Sequence, residues 1–503
     1  MEDRSDSFTT TGCTWLRPLS ALTGIPLDQV NFIICQLFGL AIAFWFRLSL
    51  SPHRVSPTLR HAVATFLGIS FVTFCFGWYS SHVLVLTLVC YVIQCQASVQ
   101  NVHWYSMLAA VGYLTVCQVS RVFIFSYGVL STDFSGPLMM VTQRITILAF
   151  HPSLLEYLSY NLNFMSILVG PCSNYKEYVD FIEGRHVQSK LKKLREGSSE
   201  PNGWDAISEP SPVRAVCQKL LVCVGCMVWF FTIAKAFPIT YNVDPEFMTQ
   251  ASFLSRLAYA FVSIQAARSK FYFAWTLADA IHNAAGFGIS GVDKKGRVSW
   301  DLVSNIHIWE IETATSFKSF IDNWNIQTGV WLKSVCYDRV PYYQTPLTFA
   351  LSALWHGVYP GYYFTFLTGI PITLAARAVR RNFRQYFLGS PAVKFAYDVV
   401  TWAATQLTIC YTVMPFLVLA VEPTLEYYRS MYFCVHIISI LAIIVLPQRP
   451  RSSKPEKHCV YVCVCLCVCV CVYMYVCKGQ AEQRTGTGQR LLCGSNKESS
   501  TGP

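Results

Sequence analysis

Residues 61–120 contain no aspartate, glutamate, lysine or arginine. Sixty residues without a formal charge cannot coat a soluble fold, in which roughly a quarter of residues are charged. A helix crosses the hydrocarbon core of a bilayer in about 20 residues, so this stretch alone holds two or three crossings. The rest of the chain agrees. Of its 503 residues, 53% are hydrophobic and only 13% charged. A disordered chain, a soluble secreted scaffold and a coiled coil are excluded. Length by itself would suggest about three soluble domains; the composition asks for one helical body in lipid.

Further apolar runs cover 30–46, 157–175, 220–234, 341–376, 399–421 and 430–448. They are long, continuous and rich in Leu and Phe, not alternating, so they read as helices. Lipid admits only helices or closed barrels, because the backbone must satisfy itself there. The expected fold is an all-α polytopic membrane protein with roughly 9–11 membrane helices. Residues 257–291 are apolar but carry Arg268, Lys270 and Asp279, which places them at an interface or inside the bundle. No internal repeat is visible.

The net charge is +11. The basic residues lie between apolar runs, where they set topology and meet anionic headgroups, so no nucleic-acid partner is expected. Residues 177–214 hold Lys190, Lys192, Lys193 and Arg195 and read as a cytoplasmic loop. The N-terminus, MEDRSDSF, has no cleavable signal pattern; the first apolar run, from Val30, is expected to stay as a signal anchor. The domain reading is a polar segment 1–23, a membrane domain 24–448 and a tail 449–503.

Eight of the 21 cysteines fall after Pro450. There CVYVCVCLCVCVCVYMYVC alternates Cys and Val as a translated TG-type DNA repeat would. The tail therefore reads as low complexity and non-functional; a metal-binding or palmitoylated tail is the alternative. Cys223 and Cys226 form a CxxC inside an apolar run with no second pair, so they read as packing and no metal is expected.

His356 is the one acid–base candidate other than tyrosine in the uncharged run 341–376. Polar groups inside a membrane are costly and default to function; a hydrogen-bonded core histidine is the bland alternative. Ala353, Gly357 and Gly361 recur every four residues and would let a helix or acyl chain come close. Some thirty residues earlier stands Trp324-Asn325-Ile326-Gln327-Thr328. Asn325, Thr328 and Leu332 would share a helical face. An amide offers donor and acceptor without charge, though alone it is more often a cap.

Together these segments resemble the signature Asn and His of the membrane-bound O-acyltransferase (MBOAT) family. FAWTLADAIHNAAGFGISGVDKKG, WEIETATSFKSFIDNWNIQTGVWLK, SALWHGVYPGYYFTFLTGIPITLAARAVR and PSLLEYLSYNLNFMSILVGPCSNYKEYVDFIEGRH are similar to its lysophospholipid acyltransferase branch. The resemblance spans roughly residues 24–447. It implies an MBOAT-type bundle with an intramembrane catalytic chamber. It also implies acyl transfer from acyl-CoA to the free hydroxyl of a lysophospholipid, as part of phospholipid remodelling in the endoplasmic reticulum. Lysophosphatidylethanolamine or lysophosphatidylserine would be the acceptor and an unsaturated chain such as oleoyl the donor group. His356 would be the base and Asn325 would orient the hydroxyl or the oxyanion. Acyl-CoA is a co-substrate; no cofactor is implied. The alternatives are a protein O-acyltransferase of the same family and, in another class, a proton-coupled transporter using His356 as relay. Repeats and paired broken helices would mark the latter.

Three departures from the family stand out. A polar connector of some thirty residues is missing between Phe150 and Pro152, His282 stands where relatives have Asn, and the basic C-terminal tail is replaced. Lys294, Lys295 and Arg297, or Arg377, Arg380, Arg381 and Arg384, are candidates for the CoA phosphates, against ordinary flanking charge. Tyr362 and Tyr363 read as packing or interface residues. Asp279, one turn after Trp275, lines the chamber or makes a structural hydrogen bond.

Overall fold

The computed structural model describes residues 11–98, 100–124, 134–148, 152–190, 210–292 and 298–447. The regular structure there is helical apart from one two-stranded antiparallel ribbon, Gly291–Val292 with Val298–Ser299. The tail after Pro450, the Phe150–His151 junction, and Lys192, Lys193, Arg195, Lys294, Lys295 and Arg297 lie outside the described residues.

The main helices are α1 (Leu27–Ser49), α2 (Pro57–Phe76), α3 (Ser80–Gln96), α4 (Val102–Ile124), α5 (Ser135–Ile147), α6 (Leu154–Leu162) and α7 (Tyr175–Ile182). They continue as α8 (Val213–Trp229), α9 (Phe253–Ala284), α10 (Ile326–Leu332), α11 (Gln344–His356) and α12 (Pro360–Phe383). α13 (Pro391–Val418), α14 (Val421–Ser430) and α15 (Cys434–Val445) follow. Four helical stretches among the described residues are long and apolar enough to cross a membrane: Leu27–Ser49, Pro57–Gln96, Val213–Ala234 and Pro391–Val418. A fifth arises if α14 and α15, bent 71° apart, count as one broken span. This is fewer than the 9–11 expected. Apolar runs in sequence do not translate one-to-one into long helices. The run around His356 is split between the 13-residue α11 and the start of α12, and α9 carries four charges along its length.

α9 resolves the ambiguity over residues 257–291. It is buried from Ala266 to Ser269 and continuously from Thr276 to Ala284, so its C-terminal half runs inside the bundle. Two of its four charges are paired, Arg268 with Glu312 and Asp279 with Lys219. Arg268 reaches Glu312 and Gln406 and lies over Phe320, and Tyr272 donates to Glu312 at 2.5 Å. Outward-facing α8 and α15 expose Leu221, Val224, Val228, Ile437, Ile438, Leu441 and Ile444. Such contiguous apolar surface needs lipid or protein over it.

α5 is the strut of the site. Its Arg144 is fully buried and donates to the carbonyls of Tyr160, Asn161, Ser166 and Pro171, the two closest at 2.7 and 3.1 Å. A buried charge is tolerated when hydrogen bonds satisfy it. Here one guanidinium pins the whole 160–171 segment to α5.

Candidate active site

His356 is the last residue of α11. Gly357 follows at φ 145°, a backbone conformation that a side chain would strain, and α12 begins at Pro360. The expectation of a mid-span histidine is corrected by this break: the apolar run is two helices, and His356 sits at their joint. A helix end leaves its last carbonyls unsatisfied. One of them, Trp355 O, accepts from Gln118 Nε2 of α4 at 3.0 Å. The imidazole is half-buried and flanked by aromatic rings. Phe366 stacks on it at 5.2 Å, Phe416 meets it edge-on at 5.0 Å, and Trp355 and Tyr362 close two further sides. Among the described residues no hydrogen bond engages either ring nitrogen.

The small-residue spacing has a partial outcome. Gly357 lies in the break, so Ala353, Gly357 and Gly361 do not share one helical face. Gly361 does permit close approach: a Cβ there would stand 2.0 Å from Pro415 O of α13, and its N–H donates to Leu419 O at 2.8 Å.

Asn325 precedes α10 with φ 50° and ψ 51°. This left-handed conformation is rare for residues other than Gly, and Asn is among the few enriched in it. Asn325 is therefore not on a face with Thr328 and Leu332; it stands at the N-cap position, yet its side chain makes no cap bond. Instead its Oδ1 accepts from Asn305 Nδ2 at 3.1 Å. Asn305 also accepts from the backbone N–H groups of Ile326 and Gln327 at 2.9 and 3.0 Å. With its oxygen engaged, the Asn325 amide presents N–H.

A buried polar chain backs this amide. Lys219 Nζ pairs with Asp279 Oδ2 at 2.7 Å and donates to Asn283 Oδ1 at 2.8 Å and Trp300 O at 2.7 Å. Ser304 donates to Asp279, and Gln327 Nε2 to Ser304 O at 3.4 Å. Gly288, at φ 138°, makes room for Asn283: a Cβ would meet its Nδ2 at 2.3 Å. Asp279 is thus the centre of a structural hydrogen-bond cluster. His282 bonds Ala278 O at 2.7 Å, four residues back on α9, and is buried.

No hydrogen bond or ring contact joins Asn325 directly to His356 among the described residues. Their helices meet through Trp331 and Trp355, whose rings lie 5.7 Å apart. Both indoles are anchored on α5: Trp331 Nε1 donates to Thr146 Oγ1 at 2.8 Å, Trp355 Nε1 to Met139 O at 3.0 Å. Thr328 accepts from Gln143 of α5 at 2.9 Å. Sequence reasoning missed Gln118, Gln143, Asn305 and Lys219. Gln118 carried a signal, being a buried amide inside the charge-free run; Asn305 did not, since its role arises only from folding.

The remaining candidates separate by position. Arg377, Arg380, Arg381 and Arg384 cluster at the C-terminal end of α12, where cations suit the helix dipole. Tyr362 is buried against His356 and Phe416; Tyr363 is half-buried in the same aromatic group. Cys223 packs on α9, with Sγ 3.8 Å from Phe273 O.

Residues 144–414 match the model of the MBOAT, membrane-bound O-acyltransferase family. That range is more than half the chain and contains α10, α11, Asn325 and His356. The chain belongs to the membrane-bound O-acyltransferase family. It is a multi-pass MBOAT acyltransferase. Likenesses over most of the chain agree. It is 58% identical to a Mus musculus protein named membrane-bound glycerophospholipid O-acyltransferase 1, covering 89% of this chain and 95% of the relative. The Homo sapiens counterpart is 57% identical, covering 89% and 94%. A Gallus gallus protein named membrane-bound glycerophospholipid O-acyltransferase 2 is 50% identical, covering 89% and 91%. In this MBOAT chain the family-matched range thus includes the histidine and asparagine singled out from sequence.

Proposed function

We propose that this chain is a glycerophospholipid O-acyltransferase that moves a fatty acyl group from acyl-CoA to the free hydroxyl of a lysophospholipid. The observation that carries the lipid reading is its likeness, over 89% of its length, to proteins named for that activity. The same likeness disfavours a protein acceptor and a transporter.

The site chemistry fits. A hydroxyl is a poor nucleophile until a base takes its proton. His356 has ring nitrogens unengaged by the described residues and aromatic rings packed against it. It removes the hydroxyl proton as the oxygen attacks the thioester carbonyl. Negative charge then builds on the carbonyl oxygen. Asn325, its Oδ1 tied to Asn305, directs its N–H to that oxyanion. The tetrahedral adduct collapses, the C–S bond breaks, and the imidazolium proton goes to the departing CoA sulfur. Proton and electrons balance with no further reagent.

The family resemblance implies the endoplasmic reticulum membrane, a lysophosphatidylethanolamine or lysophosphatidylserine acceptor and an unsaturated donor such as oleoyl-CoA. The test is a radiolabelled acyl-transfer assay in microsomes with a panel of lysolipid headgroups and acyl-CoA chains. Transfer to these two lysolipids above vector-only microsomes is the expected result. Transfer to no lysolipid in the panel, with the protein expressed, overturns the reading.

A further inference from the structure

A small, half-open cleft lies away from His356, lined by Arg47, Arg60, His186, Pro210, Gly286 and Trp300 among others. The walls are the last turn of α1, the start of α2, the turn after α7, the approach to α8 and the turn after α9. They adjoin the two described flanks, 177–190 and 210–214, of the segment that reads from sequence as a cytoplasmic loop.

We propose that this cleft is a phosphate-binding site, which holds a phosphate group of one substrate while its acyl or hydroxyl end reacts deeper in the bundle. The proposal rests on the acyl-transfer reading above, in which both substrates carry phosphate.

Three observations support a built anion site. First, Arg47 Nη2 donates to Pro210 O at 3.3 Å, and among the described residues Arg47 enters no ion pair. Arg60 is buried, positioned by Nη1 donating to Ile182 O at 2.8 Å and by the rings of Phe46 and Phe181. Two guanidinium groups suit phosphate, whose oxygens accept paired N–H bonds. Second, His186 is 2% exposed and its Nε2 has no hydrogen-bond partner among the described residues. Its Nδ1 lies 3.3 Å from Glu177 Oε2, angled away from a good hydrogen bond. Lys190, 2.7 Å from Glu177, balances that carboxylate. A buried unpartnered ring nitrogen lining a cleft is costly unless a ligand meets it. Third, Gly286, at φ 91°, keeps the wall beside Arg47 bare; a Cβ would touch Arg47 Cδ at 3.5 Å.

The cleft is also connected to the proposed chemistry. Trp300 lines it, and its carbonyl holds Lys219, the first member of the polar chain through Asp279, Ser304 and Gln327 to Asn305 and Asn325. The cleft is the outer end of that chain.

The test uses purified full-length protein in detergent, with Arg47→Gln, Arg47→Lys and His186→Asn. KM and kcat are measured for both substrates, and CoA binding by calorimetry. The expected result is a KM about tenfold higher for one substrate in Arg47→Gln, with kcat within twofold and partial recovery in Arg47→Lys. If acyl-CoA KM and CoA affinity change together, the phosphate belongs to the donor. If only the lysolipid KM changes, it is the headgroup's. Calorimetry separates the two readings: wild type that binds CoA, and Arg47→Gln that binds it tenfold more weakly, support the site even if neither transfers acyl groups. Should Arg47→Gln fail to fold, Arg47→Lys and His186→Asn decide by the same readouts. Wild-type KM values and CoA affinity in all folded variants would overturn the proposal.

Discussion

Trp331 and Trp355 pack ring against ring, 5.7 Å apart, and each donates its indole N–H to a different residue of α5. This pair couples the helix headed by Asn325 to the helix that ends in His356. Both indoles are essentially excluded from solvent. Trp331→Ala removes the coupling and opens a large void, at a cost of about 3–5 kcal/mol. Trp331→Phe keeps most of the volume and loses the bond to Thr146. The expected outcome is strong loss of folded protein for Ala on fluorescence-detected size exclusion. Phe should yield well-folded protein with several-fold lower turnover.

Asn325 can be separated from its backbone strain. Asn325→Ala removes the amide and leaves a residue ill suited to φ 50°; Asn325→Gly removes the amide and relieves the backbone. Both should lower kcat by roughly 10²-fold, as loss of an oxyanion donor does. Acyl-CoA KM should stay within a few-fold, since the interaction belongs to the transition state. Gly should melt higher than Ala. A large rise in KM at unchanged kcat would assign Asn325 to binding instead.

Glu177, outside the spans, carries a pH signature. The His186 imidazole, 3.3 Å away, and the Lys190 ammonium hold its carboxyl down to about 2. A depressed carboxylate adds stability that is complete above its unfolded value, about 4.3, and is lost as pH falls towards the folded one. Glu177→Gln should therefore lower Tm at pH 7. The gap from wild type should narrow progressively between about pH 4 and pH 2, which pH-stepped melts in detergent will record.

The tail makes a separate prediction. Truncation after Pro450 should leave microsomal acyl transfer equal or higher, because the Cys-Val repeat has no polar face to fold around. Restoring a family-like connector between Phe150 and Pro152 should raise the yield of active protein, since short stiff joins are the costly ones. Loss of activity on truncation would make the tail functional.

Much of this was legible along the chain. A 60-residue charge-free run dictates helices in lipid, and an isolated histidine and amide in apolar surroundings mark chemistry. The break at Gly357 was not legible, since glycine in an apolar run reads equally as a small packing face; only its φ of 145° separates the two. The span count suffered from the same ambiguity. The partners Asn305 and Lys219 escaped for another reason. They lie 20 and 106 positions from Asn325, and no periodicity links residues that only tertiary folding brings together.

The most direct test compares wild type with His356→Ala in one microsomal assay of acyl transfer from oleoyl-CoA to lysophosphatidylethanolamine and lysophosphatidylserine, at matched expression. The aromatic rings around His356 support the fold locally but supply no second base. The account predicts product formation by wild type and a loss of roughly 10²-fold or more in the variant. Wild-type turnover in well-expressed His356→Ala would contradict it.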